Sequence, residues 1–299
     1  MNATNHISAS AQLVKGRLAE YAQLVKVRLS FLVVFSATMA YLWVANGHIS
    51  VITVLLVSIG GFLITGAANT LNQIIEKDSD KLMKRTFERP LADERIEVKE
   101  ALIFALTIGI TGLFLLYNVN VLSAVLGATA ILIYAAIYTP LKKISRLTVI
   151  PGAIAGSIPV VIGCVAASGK LSAEAWMLFT IQFIWQFPHT WAIAWMLDDE
   201  YKKAGIEMMP TAGGRDKTSA SLILLSTLLT IPIGFVFHYL GLTSMLESCL
   251  LAIAGIGFSY FAYKLYLHRT QKAALGVMFG SFAYLPFVLI MLVLVKIFA

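Results

Sequence analysis

Charge is what this sequence has least of. Only 13% of its 299 residues are Asp, Glu, Lys or Arg, against 59% hydrophobic. That balance excludes a soluble globular domain, in which about a quarter of residues are charged. The scarcity is also uneven. No charged residue occurs in 29–75, 101–141, 147–169, 175–197, 218–246 or 273–295, and each stretch matches or exceeds the ~20 residues that cross a bilayer as a helix. Runs of that length exclude a β-barrel, which is built from short alternating segments. Cysteine is nearly missing: Cys164 and Cys249 are far apart and both fall inside apolar runs, which argues against a disulfide framework or a Cys-based metal site. There is no basic, aromatic-interleaved module for nucleic acid, and no Walker loop or paired zinc signature.

What is there reads as an all-α polytopic membrane protein. The longest charge-free stretches hold two spans each, hinged at Asn46-Gly47-His48 and near Asn118–Asn120. The expected nine spans are 29–46, 51–75, 101–117, 121–140, 149–167, 174–197, 220–238, 246–267 and 276–298. The eighth has the weakest signal because Glu247 and Lys264 sit at its ends. Of the 23 Lys and Arg, all but Lys170 and Lys296 fall in segments on one side of these spans. Because cations of short loops stay cytoplasmic, the N-terminus is expected in the cytoplasm and the C-terminus outside. Residues 1–28 form a cytoplasmic segment in which Leu13, Val14, Leu18, Tyr21, Leu24 and Val25 recur near helical spacing, predicting an interfacial helix. Residues 29–299 form the transmembrane domain. No signal-peptide or transit pattern is seen, so a bacterial plasma membrane is the expected location.

The most informative stretch follows the second span. If its helix continues, Asn72, Glu76 and Asp80 fall within about 80° of arc and make one oxygen-rich stripe. Such a set suits Mg²⁺, a hard cation that recruits phosphate oxygens. Arg85 and Arg89 follow at four-residue spacing, and their guanidinium forks match phosphate bidentately. Lys142 and Lys143, after the fourth span, are placed to approach the same anion. In the sixth span Gln182, Gln186 and His189 share a face, and polar groups at membrane depth usually face a cavity or one another. His189 is suited to ligate haem iron or position an acceptor, with Trp185 and Trp191 beside it; a packed core histidine with its hydrogen bonds satisfied is the alternative. Asp198, Asp199 and Glu200 emerge on the same side as the first stripe, and two acidic clusters on different helices suit cations around one diphosphate.

The pattern Asn72-x-x-x-Glu76-x-x-x-Asp80 resembles that of the UbiA superfamily of intramembrane prenyltransferases. Asp80-x-x-Met83-x-Arg85-Thr86-x-x-Arg89-Pro90-Leu91 and Trp185-x-x-Pro188-His189-x-Trp191, followed by Asp199-Glu200-Tyr201-x-x-Ala204-Gly205, are similar to its protoheme IX farnesyltransferase (haem O synthase) branch. There are departures: Glu200 stands where that branch has Asp, and Glu207 and Val27 where it has Pro. The resemblance implies a nine-helix UbiA-like bundle around a central cavity open to the cytoplasm, with membrane lipid around it and Mg²⁺ as cofactor. It implies transfer of the farnesyl group of farnesyl diphosphate to a vinyl group of protohaem IX with addition of water, giving haem O. A haem A synthase is the further partner in that reading. Catalysis is then expected of Asn72, Glu76, Asp80, Asp199 and Glu200, metal binding of Asn72, Glu76, Asp80 and Glu200, and acceptor binding of His189 and Trp185. Prenylation of an aromatic quinone precursor, and cation-coupled transport, are the alternatives.

Overall fold

The computed structural model describes residues 16–298, and every regular element among them is helical. Nine long helices follow a helical stretch over 16–24: α1 (Val27–Ala45), α2 (Val51–Asp80), α3 (Val98–Tyr117), α4 (Val121–Leu141), α5 (Val149–Ser168), α6 (Ala173–Lys203), α7 (Lys217–Tyr239), α8 (Met245–His268) and α9 (Gln271–Phe298). Eight are long and apolar enough to cross a membrane. The exception, α6, is the helix whose apolar run is diluted by Gln182, Gln186 and His189. The chain is a multi-pass membrane protein. Ile52, Leu55 and Ile59 on α2, and Ile103, Leu106 and Ile110 on α3, stand exposed at helical spacing, as lipid-facing stripes do.

Local chemistry sets the helix starts. Ser50, Asn120, Ser172 and Asp216 each accept a backbone N–H three residues on, starting α2, α4, α6 and α7, so the hinge expected near Asn118–Asn120 is an N-cap. At α8 the charge that weakened the sequence signal is part of the start. Ser244 and Glu247 form a reciprocal capping box, with Glu247 accepting from the Ser244 N–H at 2.6 Å. Leu13 and Val14 lie outside the described residues. The 16–24 helix buries Leu24 against Leu91, Ile96 and Ala101, while Arg17 and Tyr21 bond Glu100. Lys296 lies 4.8 Å over the Trp43 ring, so the first and last helices end at the same face.

Of the small residues in α5, Gly163 serves close packing. A Cβ there falls 2.1 Å from the backbone oxygen of Ala37 on α1, and small residues permit such approach in membranes. Gly163→Ala is therefore expected to lower stability by roughly 1–3 kcal/mol through overpacking. Gly257→Ala on α8, where nothing lies within 4 Å, should be neutral or mildly stabilising. Unfolding midpoints of the two variants in one detergent check this.

Candidate active site

A cavity of about 710 Å³ lies within the bundle, bounded by α1, α2, α4, α5, α6 and α9. Because α2 continues unbroken to Asp80, Asn72, Glu76 and Asp80 do share one face, and all three line the cavity while being at least 94% buried. The exposed Asp78 does not line it.

Each stripe residue is met by a cation from a different part of the chain. Glu76 accepts from Lys142 Nζ at 2.9 Å, Asp80 accepts at 2.9 and 2.7 Å from Nη1 of Arg89, and Asn72 Oδ1 accepts from Lys26 Nζ at 3.3 Å. The loop after α2 explains how Arg89 arrives. Thr86 Oγ1 donates to the Asp80 carbonyl, Met83 is buried in the core, and Leu91 is anchored with Leu24. With those three tied down, Arg85 and Arg89 are left at the cavity.

The end of α4 supplies the next wall. A π-helical turn over Ile133–Tyr138 interrupts it, and π-turns recur at functional sites. Thr139 Oγ1 donates to the Tyr134 carbonyl at 2.8 Å, so it accepts from the Asn72 amide nitrogen at 3.0 Å. A hydroxyl has one proton; this arrangement therefore turns Asn72 Oδ1 toward Lys26 and the cavity. Lys142 Nζ also sits 4.4 Å over the Tyr138 ring. Burial works against its ammonium, but the groups around it, Glu76 foremost, together hold Lys142 above the usual lysine range.

Four cations, Lys26, Arg85, Arg89 and Lys142, thus line the cavity against two carboxylates. The surplus is felt at Lys26, which burial, then Arg89 and Lys142, push down to about 7. Buried oxygen donors beside spare cations suit a polyanion with a hard divalent cation. The donor set of Asn72, Glu76 and Asp80 therefore fits Mg²⁺.

The second acidic cluster does not join this set. Asp199 is 70% exposed and paired with Arg215 at 2.9 Å, where the guanidinium also holds the Trp195 carbonyl and ties the loop after α6 back to that helix. Asp198 is buried on Lys202. Glu200 accepts from the backbone N–H of Arg85 at 3.4 Å and does not line the cavity. Among the described residues no group of three or more His, Cys, Asp or Glu is close enough to hold a metal ion. Lys143 is exposed and also outside the cavity, because only Lys142 of the pair turns toward α2. Glu207, in place of a proline, keeps an N–H that donates to the Lys142 carbonyl at 3.0 Å while its carboxylate pairs with Arg146.

The remaining wall comes from α6. Gln182, Trp185, Gln186 and His189 line the same cavity, with the Trp185 and His189 rings stacked at 4.6 Å. Trp191 does not. It turns to Phe187 instead, with ring centroids 5.4 Å apart. Gly156 makes room for this wall, since a Cβ there meets Gln186 Nε2 at 2.0 Å. Lys26, Tyr134, Tyr138 and Tyr201 are site residues that sequence reasoning missed. A lysine at the threshold of the first span was the available signal for Lys26.

The comparisons agree with this architecture. A family model described as the UbiA prenyltransferase family matches residues 33–295. Curated relatives named protoheme IX farnesyltransferase include one from Cytophaga hutchinsonii, 44% identical over 93% of this chain and 98% of its own length. One from Solibacter usitatus is 35% identical over 91% and 96%. Among solved structures, one described as a digeranylgeranylglyceryl phosphate synthase superposes with TM-score 0.78 at 20% identity, covering 95% of this chain and 100% of its own. A UbiA homolog from Archaeoglobus fulgidus bound to GPP and Mg²⁺ does so with TM-score 0.69 at 15% identity, covering 94% and 100%. The transporter alternative falls with these matches: a nine-helix bundle whose acidic helix and cationic loops meet at one cavity belongs, in this chain, to a member of the UbiA prenyltransferase family.

Proposed function

We propose that this protein transfers the farnesyl group of farnesyl diphosphate to a vinyl group of protohaem IX, with addition of water, giving haem O. The observation that carries the reading is a single cavity holding two kinds of chemistry: a carboxylate and cation cluster at the end of α2, and an imidazole with a stacked indole on α6. The names of relatives 35–44% identical to this chain support the same reading.

Asn72, Glu76 and Asp80 are the residues that would hold Mg²⁺, which supplies charge stabilisation for a departing diphosphate. The chain's own cations share that task. Lys142 and Arg89 are held on the carboxylates, and Arg85 stands at the cavity edge, so all three are placed to take phosphate oxygens when a polyanion enters. The prenyl chain lies among apolar side chains such as Leu32, Val33 and Ile64, which exclude water from an allylic cation. As the C1–O bond of farnesyl diphosphate breaks, the vinyl π-bond forms the new C–C bond. Water then adds to the resulting cation next to the porphyrin ring and releases one proton. A quinone precursor needs no imidazole at membrane depth, and His189 favours haem over it.

Purified protein given farnesyl diphosphate, haem and Mg²⁺ should yield a hydroxyethylfarnesyl haem identified by mass. Product formed from a quinone precursor but not from haem would replace the reading. Its product would pass to a haem A synthase.

The side of the membrane is part of the same proposal. The cation distribution supports a cytoplasmic position for the cavity's charged end. Reporter fusions after Arg95 and Gly214 should read cytoplasmic, and those after Gly47 and Ala299 external. An external signal at Arg95 would reverse the orientation.

A further inference from the structure

His189 is held by three groups, and two of them lie on α9, a helix with no site residue expected from its sequence. Its ring stacks on Trp185 at an interplanar angle of 14° and meets Phe282 of α9 at 5.2 Å. Its Nδ1 lies 2.8 Å from the hydroxyl of Ser281, also on α9. Trp185 Nε1 donates to the Ser281 carbonyl at 2.9 Å, so indole, imidazole and serine form one unit across the α6–α9 contact.

The direction of the Nδ1 bond follows from proton counting. Ser281 Oγ is 2.6 Å from the Met278 carbonyl, which has no proton to give, so the hydroxyl proton is committed there. Ser281 is fully buried and has no second proton. It must accept from the ring, which makes Nδ1 the protonated nitrogen of a neutral imidazole. The lone pair is then on Nε2, which has no hydrogen-bond partner among the described residues, while the ring lines the cavity.

We infer that Ser281 is a positioning residue: by accepting a hydrogen bond from the Nδ1–H of His189 it fixes the tautomer whose Nε2 lone pair serves the cavity as the ligand for the iron of the haem substrate. Histidines that ligate metals commonly donate their other ring N–H to such an acceptor, which fixes the tautomer and raises basicity. What Nε2 meets rests on the haem reading above; the tautomer does not.

Two measurements keep these apart. In full-length protein labelled with ¹⁵N-histidine, with the His189 signals assigned by their loss in His189→Asn, Nδ1 should be protonated and Nε2 bare. Ser281→Ala should remove that preference and Ser281→Thr, which keeps the hydroxyl, should restore it. A wild-type ring protonated at Nε2 overturns the inference without any haem being present. In the second measurement ferrous haem is added. Its iron–histidine stretching band should be lost in His189→Ala and move to lower frequency in Ser281→Ala. Haem affinity of Ser281→Ala should fall about 10–100-fold while binding of a non-hydrolysable farnesyl diphosphate analogue is unchanged. A band present but unmoved by Ser281→Ala sinks the role of Ser281. Absence of any His189-dependent band, with Nδ1 still protonated, upholds the pairing and overturns the haem reading of His189.

Discussion

Glu76→Gln and Asp80→Asn are each expected to remove Mg²⁺-dependent turnover, by ~10²–10³-fold or more, the loss typical of deleting one preorganised stabiliser of transition-state charge. Asp78→Asn and Asp199→Asn should keep most of it. The contrast comes from position alone: Glu76 and Asp80 line the cavity, while Asp78 is exposed on α2 and Asp199 is paired with Arg215 outside it. A second effect must be separated from the first. Both carboxylates are buried and neutralise a partly buried cation, Lys142 and Arg89 respectively, and breaking a buried pair by removing one partner costs up to about 3–5 kcal/mol. Loss of activity could then be loss of fold. Glu76→Gln combined with Lys142→Met removes both charges and should recover most of the thermal stability without recovering turnover. Unfolding midpoints and product assays on the single and double variants read the two effects independently. Equal loss of turnover at Asp78 would sink the helical-stripe argument.

That stripe was legible in the sequence because it is local. Three residues at four-residue steps need only one unbroken helix to share a face, and α2 continues to Asp80. The spans were legible for a similar reason, since charge-free length is a property of one segment at a time. Even the misleading signal at Glu247 was local, and Ser244 three residues earlier completes the capping box that absorbs it. The rest depends on which helices become neighbours. Lys26 comes from 46 residues before Asn72 and is turned by a left-handed backbone at φ 50°. Ser281 comes 92 residues after His189, and no spacing rule relates them. Asp199 and Glu200 matched the first cluster in sign and in membrane side, but the helix end that carries them faces Arg215 and the backbone of Arg85 rather than the cavity. Charge pattern assigns a residue to a side of the membrane; packing decides which way it points.

His189→Ala should divide the two substrates. The imidazole is on α6 with Trp185 behind it and Ser281 beside it, whereas the carboxylate and cation end of the cavity, proposed to take the diphosphate, is built from α2, its following loop and the end of α4. None of the cavity's four cations contacts His189 through a hydrogen bond among the described residues. Truncation therefore leaves the carboxylate and cation cluster intact, and binding of Mg²⁺ with a non-hydrolysable farnesyl diphosphate analogue should change little. Haem affinity should fall by ~100-fold or more, at least what is lost when only a supporting hydrogen bond to a metal-bound histidine is removed. Turnover should fall with it. Gln186 one turn earlier also lines the cavity, and Gln186→Leu is the control: it removes a polar group from the same wall and leaves the proposed iron ligand in place, so its haem loss should be smaller. Titration by absorbance for haem and by calorimetry for the analogue, on the same purified variants, gives the split. Unchanged haem affinity with normal turnover would return His189 to the role of a packed core histidine. No haem binding by the parent protein, alongside tight analogue binding, would move the acceptor assignment to an aromatic quinone precursor.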